Sequence, residues 1–211
     1  HGHPEPFNLR FIEIGSGNYG SEYVKRYELF KNAIHKTYPR ITVIGNTITD
    51  SRNRVDWVDS HYYADESFFI SNQSRFDEFL YKRRQPPMFV GEFGTAREES
   101  RGTLQAALAE ACFLFGLERN PDAVKRIAYA PLLANVQVDK RSKGLILFNN
   151  KQAVPTPSYY VLKMLGENRG DAILKTTVES YEKPQVTFGA ASISMFDNSF
   201  DFRNIRIDGN K

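Results

Sequence analysis

Apolar residues recur along this chain with two spacings, and the spacing changes once. Up to about residue 170, short apolar runs alternate with stretches in which apolar positions return every three to four residues. The run 11–14 predicts a strand. Tyr23, Tyr27, Phe30 and Ile34 predict a helix over about 22–36, with Ser21 as its cap and Pro39 just past its end. Strands are expected over 41–44 and 55–61, a helix near 75–81, and a strand through Met88, Phe89, Val90, Gly91, Glu92 and Phe93. A helix capped by Thr103 runs to Gly116, Asn120-Pro121 opens a further short turn of helix, and 127–133 reads as a buried strand. Thr156 and Pro157 stand at N-cap and N1 of a last helix that stops near Gly166. Five βα units in succession imply an α/β fold built on a parallel sheet with right-handed crossovers.

Beyond Gly170 the apolar residues alternate instead, at Val186 and Phe188, Ile193 and Met195, Phe200 and Phe202, then Ile205 and Ile207, with turn signals at Asp197-Asn198 and Asp208-Gly209. Period two with such turns predicts antiparallel strands. The expected organisation is therefore an α/β domain over 1–170 and a β-rich segment over 171–211.

Composition narrows the function classes. The chain has 211 residues, of which 41% are hydrophobic, enough for one substantial core. Its formal net charge is only +3, and the single basic cluster, Lys82-Arg83-Arg84, extends into no stripe, so a nucleic-acid partner is not expected. No apolar stretch approaches the roughly 20 residues of a membrane span. The one cysteine, Cys112, falls on the apolar face of the helix that starts after Thr103 and reads as core rather than as a nucleophile. His1 and His3, with no third ligand near them in sequence, are weak evidence for a metal, and none is expected. The chain opens on His1-Gly2-His3-Pro4 and reads as a segment of something longer.

Glu92 is the chemically conspicuous residue. An apolar strand of this kind is buried on both faces, and a carboxylate near its C-terminal end costs free energy unless something uses it. Strand ends of that sort build the active sites of parallel α/β barrels. An ion pair with Arg97 or Arg126 is the purely structural alternative.

Several segments carry a family resemblance. His3-Pro4-Glu5-Pro6-Phe7-Asn8-Leu9, Ile12-Glu13-Ile14-Gly15, Asp59-Ser60-His61-Tyr62-Tyr63, Val90-Gly91-Glu92-Phe93, the helix 104–119, Tyr129-Ala130-Pro131-Leu132 and Thr156-Pro157-Ser158-Tyr159-Tyr160-Val161 resemble, in order, the second half of the family 51 α-L-arabinofuranosidases. The resemblance implies a retaining glycoside hydrolase that removes terminal arabinofuranosyl groups, with a (β/α)8 barrel joined to a β-sandwich. This chain would then begin at the fourth barrel strand and hold the last five βα units, followed by part of the sandwich.

Retaining hydrolysis needs two carboxyl groups about 5 to 5.5 Å apart, a nucleophile and an acid/base. By resemblance Glu92 is the nucleophile, and His61 and Tyr63 orient it and line the sugar pocket. The acid/base belongs to an Ile-Gly-Asn-Glu pattern that here reads Ile14-Gly15-Ser16-Gly17, so Gly17 stands where the acid would be and Ser16 where an Asn would hold the sugar. Glu13 cannot replace it from the sequence alone, because four residues of strand span about 13 Å and place it deep in the barrel. Glu22 reads as a first-turn acid favoured by the helix dipole and as a weaker stand-in. Arg141 and Lys143 occupy positions where relatives commonly have Trp and Pro, so one pocket wall is expected to differ. No cofactor is implied. The expected partner is an arabinose-containing oligo- or polysaccharide, met in a secreted or periplasmic setting. Three readings stay open: an arabinofuranosidase whose acid comes from elsewhere, a degenerate barrel that binds arabinoglycan without cleaving it, and an inactive fragment of a truncated gene.

Overall fold

A computed structural model describes residues 2–47, 55–77, 85–97, 99–138, 144–172, 176–178 and 205–207. The chain separates into two compact units, His1–Asn168 and Arg169–Lys211. In the first unit, β1 (Phe11–Ile14), β2 (Thr42–Gly45), β3 (Trp57–Ala64), β4 (Met88–Thr95) and β5 (Val124–Tyr129) form one sheet in chain order, every neighbouring pair parallel. Four helices accompany it: α1 (Ser21–Thr37), α2 (Glu66–Ser71), α3 (Leu104–Glu118) and α4 (Pro157–Glu167).

One face of the sheet packs on the helices. Val43, Val58, Val90 and Phe93 point into that layer with Tyr27, Phe69 and Leu117, all buried. Phe113 of α3 is the hub, with ring contacts to Tyr62, Phe68, Phe69, Phe76 and Phe93. Tyrosine hydroxyls fix α1 to the strand ends: Tyr23 donates to the Ile14 carbonyl at 2.7 Å and Tyr27 to that of Val43 at 2.8 Å. Cys112 is half-buried on α3, and burial pushes its thiol pKa up, which disfavours the nucleophilic thiolate.

The other face is concave. The Phe11 ring of β1 lies 4.9 Å from the Trp57 ring of β3, and the Arg126 guanidinium of β5 sits 4.4 Å from the centre of the Phe11 ring. Strands spaced about 4.8 Å apart would separate the two edges of a flat five-stranded sheet by roughly 19 Å. Contact between side chains of the two edge strands therefore requires a strongly curled sheet.

A second sheet of the same unit joins β6 (Leu133–Asn135), β7 (Ile146–Phe148) and β8 (Ala153–Pro155), with β6–β7 parallel and β7–β8 antiparallel. The expected single strand over 127–133 is therefore split between two sheets. Pro131 lies in the gap, and proline has no N–H for a ladder. The expected helix near 75–81 is also corrected: residues 72–77 form successive turns, and 78–81 lie outside the described residues. The helix is α2, earlier in the chain, capped by Asp65, whose side chain accepts the Phe68 amide at 2.9 Å. Ser21 begins α1 rather than capping it, behind Gly20 at φ 87°. Thr156 sits at the N-cap of α4, but its hydroxyl donates to the Leu145 carbonyl instead of capping.

In the second unit, β9 (Thr176–Val178) pairs antiparallel with β10 (Ile205–Ile207), as the alternation around Ile205 and Ile207 predicts. The alternating residues from Val186 to Phe202 lie outside the described residues.

One buried polar knot ties the first unit together. Glu110 of α3, 1% exposed, accepts from the Thr95 amide (2.8 Å) and hydroxyl (2.9 Å), from Tyr129 (3.2 Å) and from Ser158 (2.6 Å). It thereby links β4, β5 and α4. Glu110→Ala strands several buried donors at once, and we expect a loss of about 3 kcal/mol or more in urea unfolding. A loss under about 1 kcal/mol would mean that those donors find other partners.

Candidate functional site

Parallel strands place all their C-terminal ends on one rim, and the site lies there on the concave face. Alternation along β3 points Asp59, His61 and Tyr63 to that face while Val58 and Tyr62 enter the helix layer. On β4 the register slips. Asp59 stands opposite Phe89, but His61 stands opposite Glu92, so β4 carries one more residue than β3 over this interval. The same slip occurs against β5, between the pairs Val90–Ile127 and Phe93–Tyr129. The extra residue falls in the stretch Val90 to Glu92. It lets Val90 and Phe93 both enter the core while Glu92 between them turns to the concave side, the re-aiming that a bulge provides.

Gly91 makes this possible. Its amide donates to Asp59 Oδ1 at 2.9 Å, and a Cβ added there would lie 2.3 Å from that same oxygen. Asp59, with its side chain only 2% exposed, also faces His61 Nε2 through Oδ2 at 2.5 Å. The other ring nitrogen, Nδ1, lies 3.3 Å from Glu92 Oε2, and the Tyr63 hydroxyl donates to that same oxygen at 2.8 Å. Among the described residues Glu92 Oε1 has no hydrogen-bond partner, so it is free to meet an electrophile. The cations that could have claimed Glu92 are engaged elsewhere: Arg97 lies 3.6 Å from Glu99, and Arg126 covers Phe11.

Burial and the Glu92 carboxylate push the Tyr63 hydroxyl up to about 12, against the pull of Arg101, whose guanidinium lies 5.9 Å from the Tyr63 ring centre. Tyr63 therefore stays a proton donor throughout the ordinary pH range.

Ser16 and Gly17 follow β1 on the same rim. Gly15 and Gly17 both have positive φ, 90° and 62°. The Ser16 amide donates to Asn18 Oδ1 at 2.9 Å, and the Asn18 amide to Asn46 Oδ1 at 3.3 Å. A Cβ at Gly17 would meet nothing within 4 Å, so the position is roomy, but its left-handed backbone penalises any side chain by about 1 to 2 kcal/mol. Glu22 is spent on Lys25 at 2.7 Å on the exposed face of α1. Near the chain start, His3 donates through Nδ1 to the Glu5 carbonyl and stacks on Phe7. Arg141 and Lys143 lie outside the described residues.

Two residues enter that sequence reasoning did not single out, Asp59 and Asn46, together with Glu13, which it had weighed as an acid and set aside. Asn46 donates through Nδ2 to Glu13 Oε1 at 2.8 Å. Glu13 retains solvent contact, yet burial of its carboxyl and then the charge of Asp59 raise its pKa, with the Asn46 bond opposing. The signal for Asp59 was present in the chain, since it precedes His61 and Tyr63 at the two-residue period of one strand face.

Comparisons with known proteins converge. A family model for the α-L-arabinofuranosidase C-terminal domain matches residues 77–206, and one for the α-L-arabinofuranosidase 1 domain matches residues 1–81. α-L-Arabinofuranosidase 1 of Arabidopsis thaliana is 35% identical over 210 residues, covering 97% of this chain and 30% of the relative. The extracellular exo-α-L-arabinofuranosidase of Streptomyces chartreusis is 33% identical over 222 residues, covering 98% of this chain and 26% of its own length. The chain thus spans less than a third of these relatives. Among solved structures, an arabinose-bound family 51 α-L-arabinofuranosidase superposes with a TM-score of 0.70 at 28% identity, over 81% of this chain and 30% of that one. The arabinose complex of the Thermotoga maritima enzyme shares the fold, with a TM-score of 0.63 at 18% identity over 83% of this chain and 45% of that one.

Two outcomes follow from the geometry. Gly91→Ala drives a methyl into Asp59, so the site should distort: expect a loss of about 1 to 3 kcal/mol in stability and displaced His61 ring resonances. An unchanged His61 spectrum would contradict the close packing at Gly91. Tyr63 has a folded pKa above its unfolded one, so its share of stability is complete below about pH 10 and is lost as pH rises toward 12. The ultraviolet difference titration between the native chain and Tyr63→Phe should isolate an ionisation near 12, and Glu92→Gln should move it down toward 10. A midpoint near 10 in the native chain would break the assigned Tyr63–Glu92 bond.

Proposed function

This chain belongs to the family 51 α-L-arabinofuranosidases, glycoside hydrolases, and from that membership we propose that it forms the C-terminal part of a retaining (β/α)8 barrel with the first strands of an adjoining β-sandwich. Glu92 is the nucleophile, and His61 and Tyr63 hold it. The substrate is a terminal arabinofuranosyl group on an arabinose-containing, plant-type oligo- or polysaccharide, which the whole protein meets after secretion. The curled five-stranded sheet and its concave polar face support the barrel reading. The observation that carries the catalytic reading is the Glu92 carboxylate, with Oε2 fixed by Tyr63 and faced by His61 and Oε1 without a hydrogen-bond partner among the described residues.

In this reading the open oxygen of Glu92 attacks the anomeric carbon, and the bond to the departing oxygen breaks with its electron pair leaving on that oxygen. Tyr63 and His61 hold the carboxylate in line and stop it from collapsing onto its neighbours. Gly17 supplies no proton to the leaving group, and Ser16 is too short to reproduce an Asn amide at the sugar. That absence favours the second reading, a barrel that binds arabinoglycan with little turnover.

A positioned general acid contributes about 10² to 10⁴ in rate, chiefly when the leaving group is poor, whereas the nucleophile is needed for any covalent intermediate. The whole protein should therefore hydrolyse an arabino-oligosaccharide very slowly. An aryl arabinofuranoside with an acidic phenol should still glycosylate Glu92, azide should accelerate turnover of the trapped species, and Glu92→Gln should abolish both reactions. Ser16→Asn with Gly17→Glu should raise turnover of the oligosaccharide despite the strain at position 17. Equally fast hydrolysis of both substrates would reveal an acid other than Gly17's replacement, and no mass shift on Glu92 would leave only the binding or fragment readings.

A further inference from the structure

Tyr63 donates the hydrogen bond that fixes Glu92, yet little in the sheet fixes Tyr63. It is 44% exposed, its register partner on β4 is Gly94, which has no side chain to set against the ring, and no aromatic ring among the described residues packs on it. A phenol tethered by its hydroxyl alone can still turn about its side-chain bonds. Arg101 supplies a second hold. Its guanidinium carbon lies 5.9 Å from the centre of the Tyr63 ring, within the range at which a cation is drawn to an aromatic face. The backbone around Arg101 is anchored in the turn between β4 and α3. The Arg101 amide donates to the Arg97 carbonyl at 3.0 Å, Gly102 takes a positive φ of 79°, and Thr103 donates its amide to the Ser100 carbonyl at 2.9 Å and caps α3. Arginines elsewhere in this unit have acceptors: Arg119 meets Asp77, Arg97 meets Glu99 and Arg75 meets Asn72. Arg101 has none among the described residues, and its buried Nε is without a partner. A half-buried guanidinium with no acceptor costs stability, and folded chains bear such costs mainly at functional sites.

From this geometry we propose that Arg101 is a positioning residue that acts on Glu92 through Tyr63: its guanidinium, set over the ring, holds the phenol where the hydroxyl meets Glu92 Oε2. It acts at second hand, since Tyr63 makes the bond to the carboxylate. A cation beside a phenol also favours release of the phenolic proton, which makes the O–H a stronger donor to a carboxylate. The pull of Arg101 on the Tyr63 hydroxyl, opposed by the Glu92 carboxylate, has that direction. The charged and titratable groups that face Tyr63 are Glu92 of β4 in contact, Arg101 of the following turn over its ring, and His61 of its own strand on the far side of Glu92 Oε2.

The contact exists whether or not Glu92 is a nucleophile, while its catalytic consequence rests on the function proposed above. The test separates the two. In the whole protein carrying Glu92→Gln, Tyr63 titrates nearer to its ordinary range, where the fold is spared extreme alkali. The ultraviolet difference between that protein and its Tyr63→Phe counterpart isolates this one phenol. Adding Arg101→Met, which keeps the length and removes the charge, should raise the midpoint by about half a unit, because a cation that favoured the phenolate has gone. Arg101→Lys, which keeps the charge, should leave most of the native position. A midpoint that stays in place or falls in Arg101→Met overturns the proposal. Should Arg101→Met fail to fold, the ¹H–¹⁵N resonance of Arg101 Nε decides with Arg101 intact. The Tyr63 ring current should displace that resonance in the native chain, and Tyr63→Leu should remove the displacement; the same position in both is fatal.

Activity then reports on the consequence. With an activated aryl arabinofuranoside and Glu92 intact, Arg101→Met should lower kcat for glycosylation about two- to fivefold with KM little changed, the size of a cation–ring contact at a partly exposed site, and Arg101→Lys should restore most of it. A raised Tyr63 midpoint with an undiminished kcat would refute the positioning role. A raised midpoint without labelling of Glu92 in the native protein would sustain the contact and sink the functional reading. Labelling of Glu92 with an unmoved midpoint would do the reverse.

Discussion

The site rests on the approach of the Asp59 carboxylate to the backbone of Gly91. Asp59 is almost fully removed from water, and a buried carboxylate needs donors on both oxygens. One of them is the Gly91 amide, reachable because no Cβ stands in the way. The second is His61, two residues along the same strand and held by Asp59 at Nε2. Once that ring is fixed, its other nitrogen points at Glu92. The extra residue of β4 brings Glu92 onto this face without removing Val90 or Phe93 from the core. A glycine, a register slip and a buried acid thus form one device, and none of the three yields the geometry alone.

The curl of the sheet sets what this device can serve. Phe11, Trp57 and Arg126 close the lower end of the concave face, Glu13 and Asp59 lie above them, and Glu92 and Tyr63 stand nearest the rim. Polarity therefore rises toward the C-terminal ends of the strands, where the loops begin. On the convex side the Phe113 cluster and the Glu110 knot hold the helices against the strands. Aromatic packing and a buried hydrogen-bond knot thus stand behind the site.

Much of this was legible in the chain, for identifiable reasons. Apolar runs bounded by capped helices are local signals, so the five parallel strands and the long helices α1, α3 and α4 could be read directly. The resemblance singled out Glu92, His61 and Tyr63, which the structure brings together. The misses are equally physical. Helix α2 is a six-residue element, too short for a periodic pattern, and only its Asp65 cap announced it. The sheet of β6, β7 and β8 consists of three-residue strands that join distant parts of the chain, and no local pattern encodes such pairing. Glu13 was placed by counting residues along its strand, which ignores what crosses from the neighbouring strand, and the structure leaves it exposed. Asn46 follows β2, the neighbour of β1 in the sheet but 33 residues away in the chain, so no window of sequence contains its meeting with Glu13.

The polar side chains of the concave face also bear on why the site retains its form beside Gly17. Ionised and hydrogen-bonded groups in a half-buried groove are poor stabilisers, because the desolvation of each charge consumes most of what its contacts return. A concave face used only as scaffold would be at least as stable with apolar residues at 13, 59 and 92, and the Glu110 knot and aromatic cluster already hold the unit together. What Asp59, His61 and Tyr63 do achieve is orientation: they hold Oε2 of Glu92 and leave Oε1 without a hydrogen-bond partner among the described residues. The loop carrying Ser16 and Gly17 is tied through Asn18 and Asn46 to Glu13 on β1, so its backbone is held at the same rim. In the function proposed above, this frame serves the attacking carboxylate, and the lack of a carboxyl at Gly17 bears on which leaving groups can depart rather than on how Glu92 is held.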